Sequence, residues 1–369
     1  MRMPQRMVIV LIFIVIFALA GFTIYNFYAM QQQQETLVIY TYESLLEWGD
    51  NPEAVRDAVF GEFARRYNVN VTVIRFSDAR SALLRLIEEK DNPRADIIIG
   101  LDDILVLEAI NAGVLEPYTP QNLSLIREDL VNALDPDHYV VPYDFGLIAL
   151  VYDSAYVNST TYPELPNINF TTLLNKTYRQ QLIVEDPTQS STGLSFLLWQ
   201  IAVYEKILHK NWTEWWTAIK DDVMVAASWG DAYDAFLNPS IGRHIVVSYG
   251  TDGAYSYYFY NSTQYAAVIT HEKGPISWLQ IEGIGLVKNA KHPELAKLFI
   301  EWFLSNEVQQ YIALNNWMYP ANEHVPLPDA YKYAIDPTNV TIANTLISKE
   351  EIESELQTWL RQWLEIMGG

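Results

Sequence analysis

The sequence of 369 residues contains no cysteine, which excludes disulfides, thiolate metal sites, a cysteine nucleophile and a lipid-modified N-terminal cysteine. This absence does not force a cytosolic location, because a chain of this length can bury a core that needs no disulfides. Charged residues are also scarce, at 19% against about 25% in a typical globular protein. Because half of the residues are hydrophobic, we expect a folded chain with two or more units.

Basic residues are few: 24 Lys and Arg stand against 45 Asp and Glu, and the net charge is -21. Nucleic-acid binding depends mainly on Lys and Arg that neutralise phosphates, so no nucleic-acid partner is expected. An acidic surface keeps a protein soluble, and it is also compatible with a small cationic ligand.

Catalytic motifs are missing as well. The fragment that begins at His271 lacks the second histidine of a zinc-protease helix, and Gly283-Ile284-Gly285 lacks the third glycine of a dinucleotide site. There is no P-loop and no Gly-x-Ser-x-Gly elbow. We therefore expect no enzyme, no cofactor and no metal. A surface enzyme with two carboxylates that act on glycans remains the alternative from another class.

The N-terminus carries a long apolar stretch. Arg2 and Arg6 precede an uncharged run over residues 7–29, which is long enough to cross a bilayer with the basic end in the cytoplasm. The run is either an uncleaved anchor, which its length favours, or a signal peptide cut after Ala18-Leu19-Ala20. Residues 1–35 are thus predicted to be an anchor or signal peptide plus a polar tether. The rest is predicted to lie at the extracytoplasmic face of the membrane.

Acceptor motifs for N-glycosylation support export. Asn-x-Ser/Thr occurs eight times, and such motifs belong on the surface of secreted proteins. They predict a glycosylated exterior with sites at Asn70, Asn122, Asn158, Asn169, Asn175, Asn211, Asn261 and Asn339.

The first third of the exported part alternates between strand and helix patterns. Strands are predicted over 37–42, 71–76 and 95–101, with helices over 52–67 and 81–89 between them. This order is typical of a parallel sheet, in which ligands bind beyond the carboxyl ends of the strands. Polar pairs stand at those three ends, namely Tyr42-Glu43, Ser77-Asp78 and Asp102-Asp103.

The remaining chain predicts a second α/β unit. Short strands are expected over 182–185, 222–226 and 244–249, and extended crossings between two lobes over 139–152 and 266–290. Lobe 1 is predicted to comprise 36–145 and 272–325, and lobe 2 to comprise 146–271. The segment 326–369 should pack on the lobes. Its last helix, over 349–367, is predicted to bury one stripe formed by Ile352, Leu356, Trp359, Leu360, Trp363 and Leu364.

Hydroxyl and aromatic residues cluster in predicted loops. The run DPTQSSTG precedes a helix, so Ser190 and Ser191 either cradle an anion at the helix N-terminus or simply cap the helix. Trp229, Tyr255 and Trp317 stand beside Gly, Asn, Asp or Pro rather than in core stripes. Flat aromatic faces with a few carboxylates suit a delocalised organic cation.

These loops carry a family resemblance. The segments VIYTYESLLEWG, RADIIIGLDD, VVPYDFGLIALVYD, EDPTQSSTGLSFLLW, SWGDAYDAFL, VVSYGTDGAY and NNWMYP resemble the thiamine-binding periplasmic proteins of ABC importers, from Leu37 to the last helix. The resemblance implies an α/β, two-lobed type II periplasmic-binding fold with a hinge and a central ligand cleft. It implies capture of thiamine, its monophosphate or its pyrophosphate by cleft closure, with an ABC permease as partner. We expect a monomer.

The resemblance also implies the ligand-binding residues. Tyr42 and Trp317 should contact the rings, and Asp78 should meet the aminopyrimidine, although Ala79 replaces the glycine that usually follows. Ser190 and Ser191 should hold the hydroxyethyl or phosphate end. The further pocket residues are Trp229, Tyr249 and Tyr255.

Asp252 stands where relatives have a serine. If its side chain points into the pocket, phosphate esters should bind worse than free thiamine. Two other ligands remain alternatives: ferric ion, which the neighbouring tyrosines Tyr257-Tyr258 suggest, and a polyamine, which aromatic walls with carboxylates would also suit.

Overall fold

A computed structural model describes residues 34–368 of the chain. The predicted anchor and the predicted cleavage pattern lie outside these residues. Within 34–368, no helix is both long enough and apolar enough to cross a membrane.

The strands of the described residues form one large sheet and one small sheet. In chain order they are β1 Thr36–Tyr42, β2 Asn70–Phe76, β3 Ile97–Leu101, β4 Leu115–Glu116, β5 Val140–Asp153, β6 Leu182–Glu185, β7 Met224–Ala226, β8 Ile245–Tyr249, β9 Tyr265–Val268, β10 Thr270–His271, β11 Pro275–Ser277, β12 Leu279–Val287, β13 Tyr319–Pro320 and β14 Thr341–Ile342.

Two of the α-helices continue in π-helical turns, at Asp57–Gly61 and Val203–Ile207. The α-helices are Pro52–Arg56, Glu62–Tyr67, Ala79–Glu88, Asp103–Ala112, Glu128–Leu134, Lys176–Arg179, Ser191–Ala202, Trp212–Ile219, Trp229–Leu237, Asp252–Tyr260, Pro293–Leu304, Asn306–Gln309, Ile312–Asn315 and Lys349–Met367.

The large sheet has two halves that share β5. Its strand order is β2-β1-β3-β12-β5-β8-β6-β7, with β1 parallel to both β2 and β3. The first half of β5 pairs antiparallel with β12, up to Leu147 opposite Leu279. Its second half pairs antiparallel with β8, from Ile148 opposite Tyr249 onward. One 14-residue strand therefore passes from one half of the molecule to the other, as the predicted crossing requires.

Buried side chains separate at the same point. Those of β5 up to Phe145 pack with β1, β3 and the helix Pro293–Leu304, whereas Ile148 packs with β6, β8 and the helix Ser191–Ala202. Aromatic side chains fill the second core, where Trp215 and Trp216 lie at right angles with ring centroids 4.9 Å apart. The molecule is two-lobed, and the lobe boundaries given above stay predictions.

The last helix spans Lys349–Met367, as the sequence predicts. Five residues of its predicted stripe are buried, and Trp363 packs against Trp216 with ring centroids 5.7 Å apart. The prediction for Leu364 was wrong, because that side chain is 48% exposed. Leu364 follows Trp363 by one residue, which turns it by about 100° around the helix and off the buried face.

Candidate functional site

A cavity of about 470 Å³ lies between the lobes, beyond the carboxyl ends of β1 and β2. This size falls within the range of roughly 300–1,000 Å³ that is typical of small-molecule sites. The lining is rich in aromatic and acidic side chains: of its 22 residues, seven are aromatic and seven carry a carboxylate. None of these 22 residues is a Lys, Arg or His.

Tyr42 ends β1 and lies at the base of the cavity. Its ring packs against Gly100, whose φ of +106° and lack of a side chain leave the space, because a Cβ there would lie 2.5 Å from the ring. The Tyr42 hydroxyl donates to Glu282 at 2.8 Å and accepts from the amide of Asn316 at 3.0 Å. Burial, followed by the neighbouring carboxylates, raises the pKa of this hydroxyl well above its usual value.

Two acids lie side by side beneath the cavity. Glu282 of β12 pairs with Asp144 of β5 where these strands cross between the lobes. The Tyr143 hydroxyl donates to Glu282 at 2.6 Å, and the Asn316 amide donates to Asp144 at 2.6 Å. Burial is the largest cause that raises the pKa of both carboxyls, and the proximity of Glu282 adds to it for Asp144. Sequence reasoning missed both acids as site residues; the polar breaks in the apolar runs VVPYDFG and IEGIG marked each acid, but not their pairing.

Asp78 connects the two lobes. It caps the helix Ala79–Glu88 by accepting from the Arg80 N–H at 3.1 Å, and the same oxygen accepts from the Ser191 N–H at 3.1 Å. Ser190 caps the helix Ser191–Ala202 through the Gly193 N–H at 3.4 Å. Burial raises the pKa of Asp78, while the hydrogen bonds from these N–H groups act in the opposite direction.

Trp48 lies at the centre of the aromatic wall. Its ring meets those of Trp229, Tyr233 and Tyr255 nearly at right angles, with centroids 5.3, 5.5 and 6.0 Å away. The Trp229 indole is held by a hydrogen bond from its N–H to Ser248 at 3.0 Å. Sequence reasoning missed Trp48, although Gly, Asp, Asn and Pro follow it directly and were the same local signal that singled out Trp229 and Trp317.

Trp317 has a left-handed backbone, with φ of +52°. A bulky residue rarely adopts this conformation, and such strain is found most often at functional sites. The Trp317 indole N–H donates to the carbonyl of Trp48 at 2.9 Å, and its ring stands perpendicular to that of Tyr255 at 5.3 Å. The Trp317 indole is therefore held at the cavity by Trp48 and Tyr255.

Asp252 opens the helix Asp252–Tyr260 and faces the cavity. It is 5% exposed, and its Oδ2 atom has no hydrogen-bond partner. Burial raises the pKa of this carboxyl to about 7, although hydrogen bonds from Ser248 and the Tyr249 N–H oppose the shift.

Comparison with known proteins assigns this cleft to a family. A family model described as "Bacterial extracellular solute-binding protein" matches residues 92–366. The chain belongs to that family. Among its relatives, a thiamine-binding periplasmic protein of Escherichia coli K12 is 30% identical over 329 residues, covering 89% of this chain and 92% of the relative. A thiamine-binding periplasmic protein of Brucella suis is 30% identical over 338 residues, covering 90% and 92%.

Solved structures resemble this solute-binding protein in fold. A periplasmic thiamin binding protein superposes with a TM-score of 0.77 at 26% identity, covering 90% of this chain and 96% of that one. The binding protein AfuA from Actinobacillus pleuropneumoniae gives a TM-score of 0.73 at 17% identity, covering 91% and 99%, and shows the fold alone. The predicted two-lobed periplasmic-binding fold and the predicted resemblance are both confirmed.

The solute-binding cleft brings together most residues that the sequence singled out. Eight of the nine predicted ligand-binding residues line the cavity: Tyr42, Asp78, Ser191, Trp229, Tyr249, Asp252, Tyr255 and Trp317. Ser190 is fully buried behind them and serves as a helix cap.

Two other predicted polar groups lie elsewhere. Asp102 accepts from the Leu105 N–H at 2.8 Å as a helix cap, and Asp103 accepts from Asn344 at 3.1 Å, so neither lines the cavity. Tyr257 and Tyr258 also lie outside the lining: Tyr257 packs against Tyr333 with the rings tilted by 33°, and Tyr258 donates to Asp50.

Proposed function

We propose that this solute-binding protein captures thiamine by cleft closure and delivers it to an ABC-type importer. The observation that carries the proposal is the lining of the cavity, which combines seven aromatic with seven carboxylate side chains and includes no basic residue. We choose thiamine as the ligand because relatives of this chain are thiamine-binding periplasmic proteins.

The chemistry of thiamine fits this lining. Its thiazolium ring is a flat cation, and a cation over an aromatic face gains roughly 0.5–2 kcal/mol. A nanomolar dissociation constant requires about -12 kcal/mol, so several contacts from both lobes must act together. In this proposal Tyr42, Trp229 and Trp317 contact the rings, and Asp78 accepts from the aminopyrimidine.

Closure follows from contacts that only a closed cleft can make. Trp48 and Trp229 meet across it, and so do Asp78 and the N–H of Ser191. A ligand that adds contacts to both lobes shifts the population toward the closed form. We keep the predicted lobes, 36–145 with 272–325 and 146–271, as part of the proposal, because the division of buried side chains within β5 supports them.

The cellular setting belongs to the same proposal. We propose that the protein is a monomer without enzymatic activity at the extracytoplasmic face, held there by the apolar segment within residues 1–35. The eight asparagines of the glycosylation motifs are all at least partly exposed, which supports a glycosylated surface.

Two rival ligands remain to be tested. A polyamine would also suit an acidic, aromatic cavity. Ferric ion is supported less, because the neighbouring tyrosines that suggested it lie outside the lining.

Isothermal titration calorimetry with thiamine, spermidine and ferric citrate tests the proposal. We expect thiamine to bind most tightly, and Trp229→Ala and Trp317→Ala each to weaken its binding at least tenfold. Tyr156→Ala, which removes a ring that is 50% exposed outside the cavity, serves as the control. Tighter binding of spermidine or ferric citrate would reject thiamine as the ligand, and unchanged affinity in both tryptophan variants would reject the pocket.

A further inference from the structure

The charge of the cleft restricts which form of the vitamin can enter. Burying an ion is costly unless a partner of opposite charge accompanies it. A thiazolium finds many such partners among the lining carboxylates, but a phosphate finds no cationic side chain among the 22 lining residues. A phosphate ester carries about -1.5 to -2 charges at neutral pH.

Arginines close to the cavity are already paired. Arg75 lies 2.7 Å from Glu47, one of the lining carboxylates, and Arg56 pairs with the same group. Arg80, next to the lining residues Asp78 and Ala79, lies 2.8 Å from Glu108. A phosphate could recruit one of them only by breaking an ion pair.

The helix N-terminus that would suit a phosphate is occupied by a carboxylate of the protein itself. Helix N-termini attract anions through free N–H groups and the helix dipole. At the helix Ser191–Ala202, the Ser191 N–H donates to Asp78 at 3.1 Å, and the Gly193 N–H donates to the Ser190 hydroxyl at 3.4 Å. A phosphate at this end would have to displace Asp78, and with it a contact between the lobes.

Asp252 adds a second obstacle to a phosphate in the cavity. Its Oδ2 atom is buried, has no hydrogen-bond partner and belongs to the cavity lining. When the carboxyl is ionised, above its pKa of about 7, this oxygen attracts a cation or a donor and repels a phosphate oxygen.

We infer that the cleft selects the unphosphorylated vitamin: it binds thiamine and rejects thiamine monophosphate and pyrophosphate, with Asp252 as the specificity-determining residue. This inference rests on the proposed function, because it distinguishes between forms of the same ligand. The ionised carboxylate of Asp252 excludes the phosphate by charge.

Titration of the wild-type protein with thiamine, thiamine monophosphate and thiamine pyrophosphate at pH 8, where the Asp252 carboxyl is ionised, tests the inference. We expect both esters to bind at least tenfold more weakly than thiamine. If thiamine and the pyrophosphate bind equally well, the selectivity is refuted while the proposed function stands. If none of the three binds, the proposed function fails and the inference fails with it.

Asp252→Ser identifies the residue responsible. We expect it to narrow the ratio between pyrophosphate and thiamine affinities at least fivefold, with circular dichroism confirming the fold. Asp252→Asn, which keeps the shape and removes the charge, should act in the same direction. Glu353→Gln, the same loss of charge on the exposed face of the last helix, should leave the ratio unchanged. An unchanged ratio in both Asp252 variants would remove Asp252 from the mechanism.

Discussion

Replacing Asp252 by asparagine should make the stability of the unliganded protein less dependent on pH. The folded protein holds the pKa of this carboxyl at about 7, against an ordinary value of 3.8. Between these two values the unfolded chain binds fewer protons than the folded one, so the free energy of unfolding falls as pH rises. Above pH 7 the carboxyl is ionised in both states, and the loss stops.

The size of the effect follows from the width of that interval. Each pH unit costs about 1.4 kcal/mol while the folded carboxyl is protonated and the unfolded one is not. Between pH 5 and pH 8 the free energy of unfolding of the wild type should therefore fall by about 3 kcal/mol because of Asp252. The asparagine variant has no such group and should not show this fall. Contributions that do not change with pH, such as altered packing, cancel in this comparison.

Urea unfolding at several pH values, followed by tryptophan fluorescence, measures the effect. The free energy of unfolding of Asp252→Asn minus that of the wild type should rise by about 3 kcal/mol from pH 5 to pH 8. The exposed Glu353→Gln should give a difference that does not vary with pH. A constant difference for Asp252→Asn would show that Asp252 is already ionised in the folded protein at pH 5, and the argument from burial would fail.

Three further substitutions test the site and the fold. Trp48→Ala should weaken thiamine binding at least tenfold in calorimetry, because it removes the indole that the other cavity rings contact edge-on, whereas Trp48→Phe should retain more affinity. Gly100→Ala should lower the free energy of unfolding by more than 2 kcal/mol, since the new Cβ meets a tyrosine ring; Gly242→Ala, with φ of +67° and open space, should cost only about 1–2 kcal/mol. Trp363→Ala should cost about 3–5 kcal/mol in urea unfolding, while Leu364→Ala on the exposed side should cost less than about 1 kcal/mol. An equal loss of unfolding free energy in Gly100→Ala and Gly242→Ala, or in Trp363→Ala and Leu364→Ala, would contradict the packing described for these residues. Unchanged thiamine affinity in Trp48→Ala would contradict the role of Trp48 in the cavity.

The local sequence pattern determined the strands and helices of this protein. Strands such as β1 and β6, and the helix Lys349–Met367, lie within a residue or two of the predicted bounds, because hydrophobic periodicity and helix caps are local properties of the chain. The passage of β5 between lobes was also predictable, since Pro142, Asp144 and Gly146 interrupt its apolar runs. The resemblance then indicated eight of the residues that line the cavity.

Tertiary structure alone decided what those residues meet. Nothing in the sequence places the carboxylate of Asp78 on the N–H of Ser191, 113 residues away, or brings Glu282 beside Asp144. Trp48 and Trp216 both contact several aromatic rings in the folded protein, yet Trp48 lines the cavity and Trp216 is buried in a core. The type of a residue determines the chemistry of its side chain. Its partners and its solvent exposure depend on contacts between residues distant in sequence. These partners and this exposure determine the charge state of the side chain and its access to a ligand.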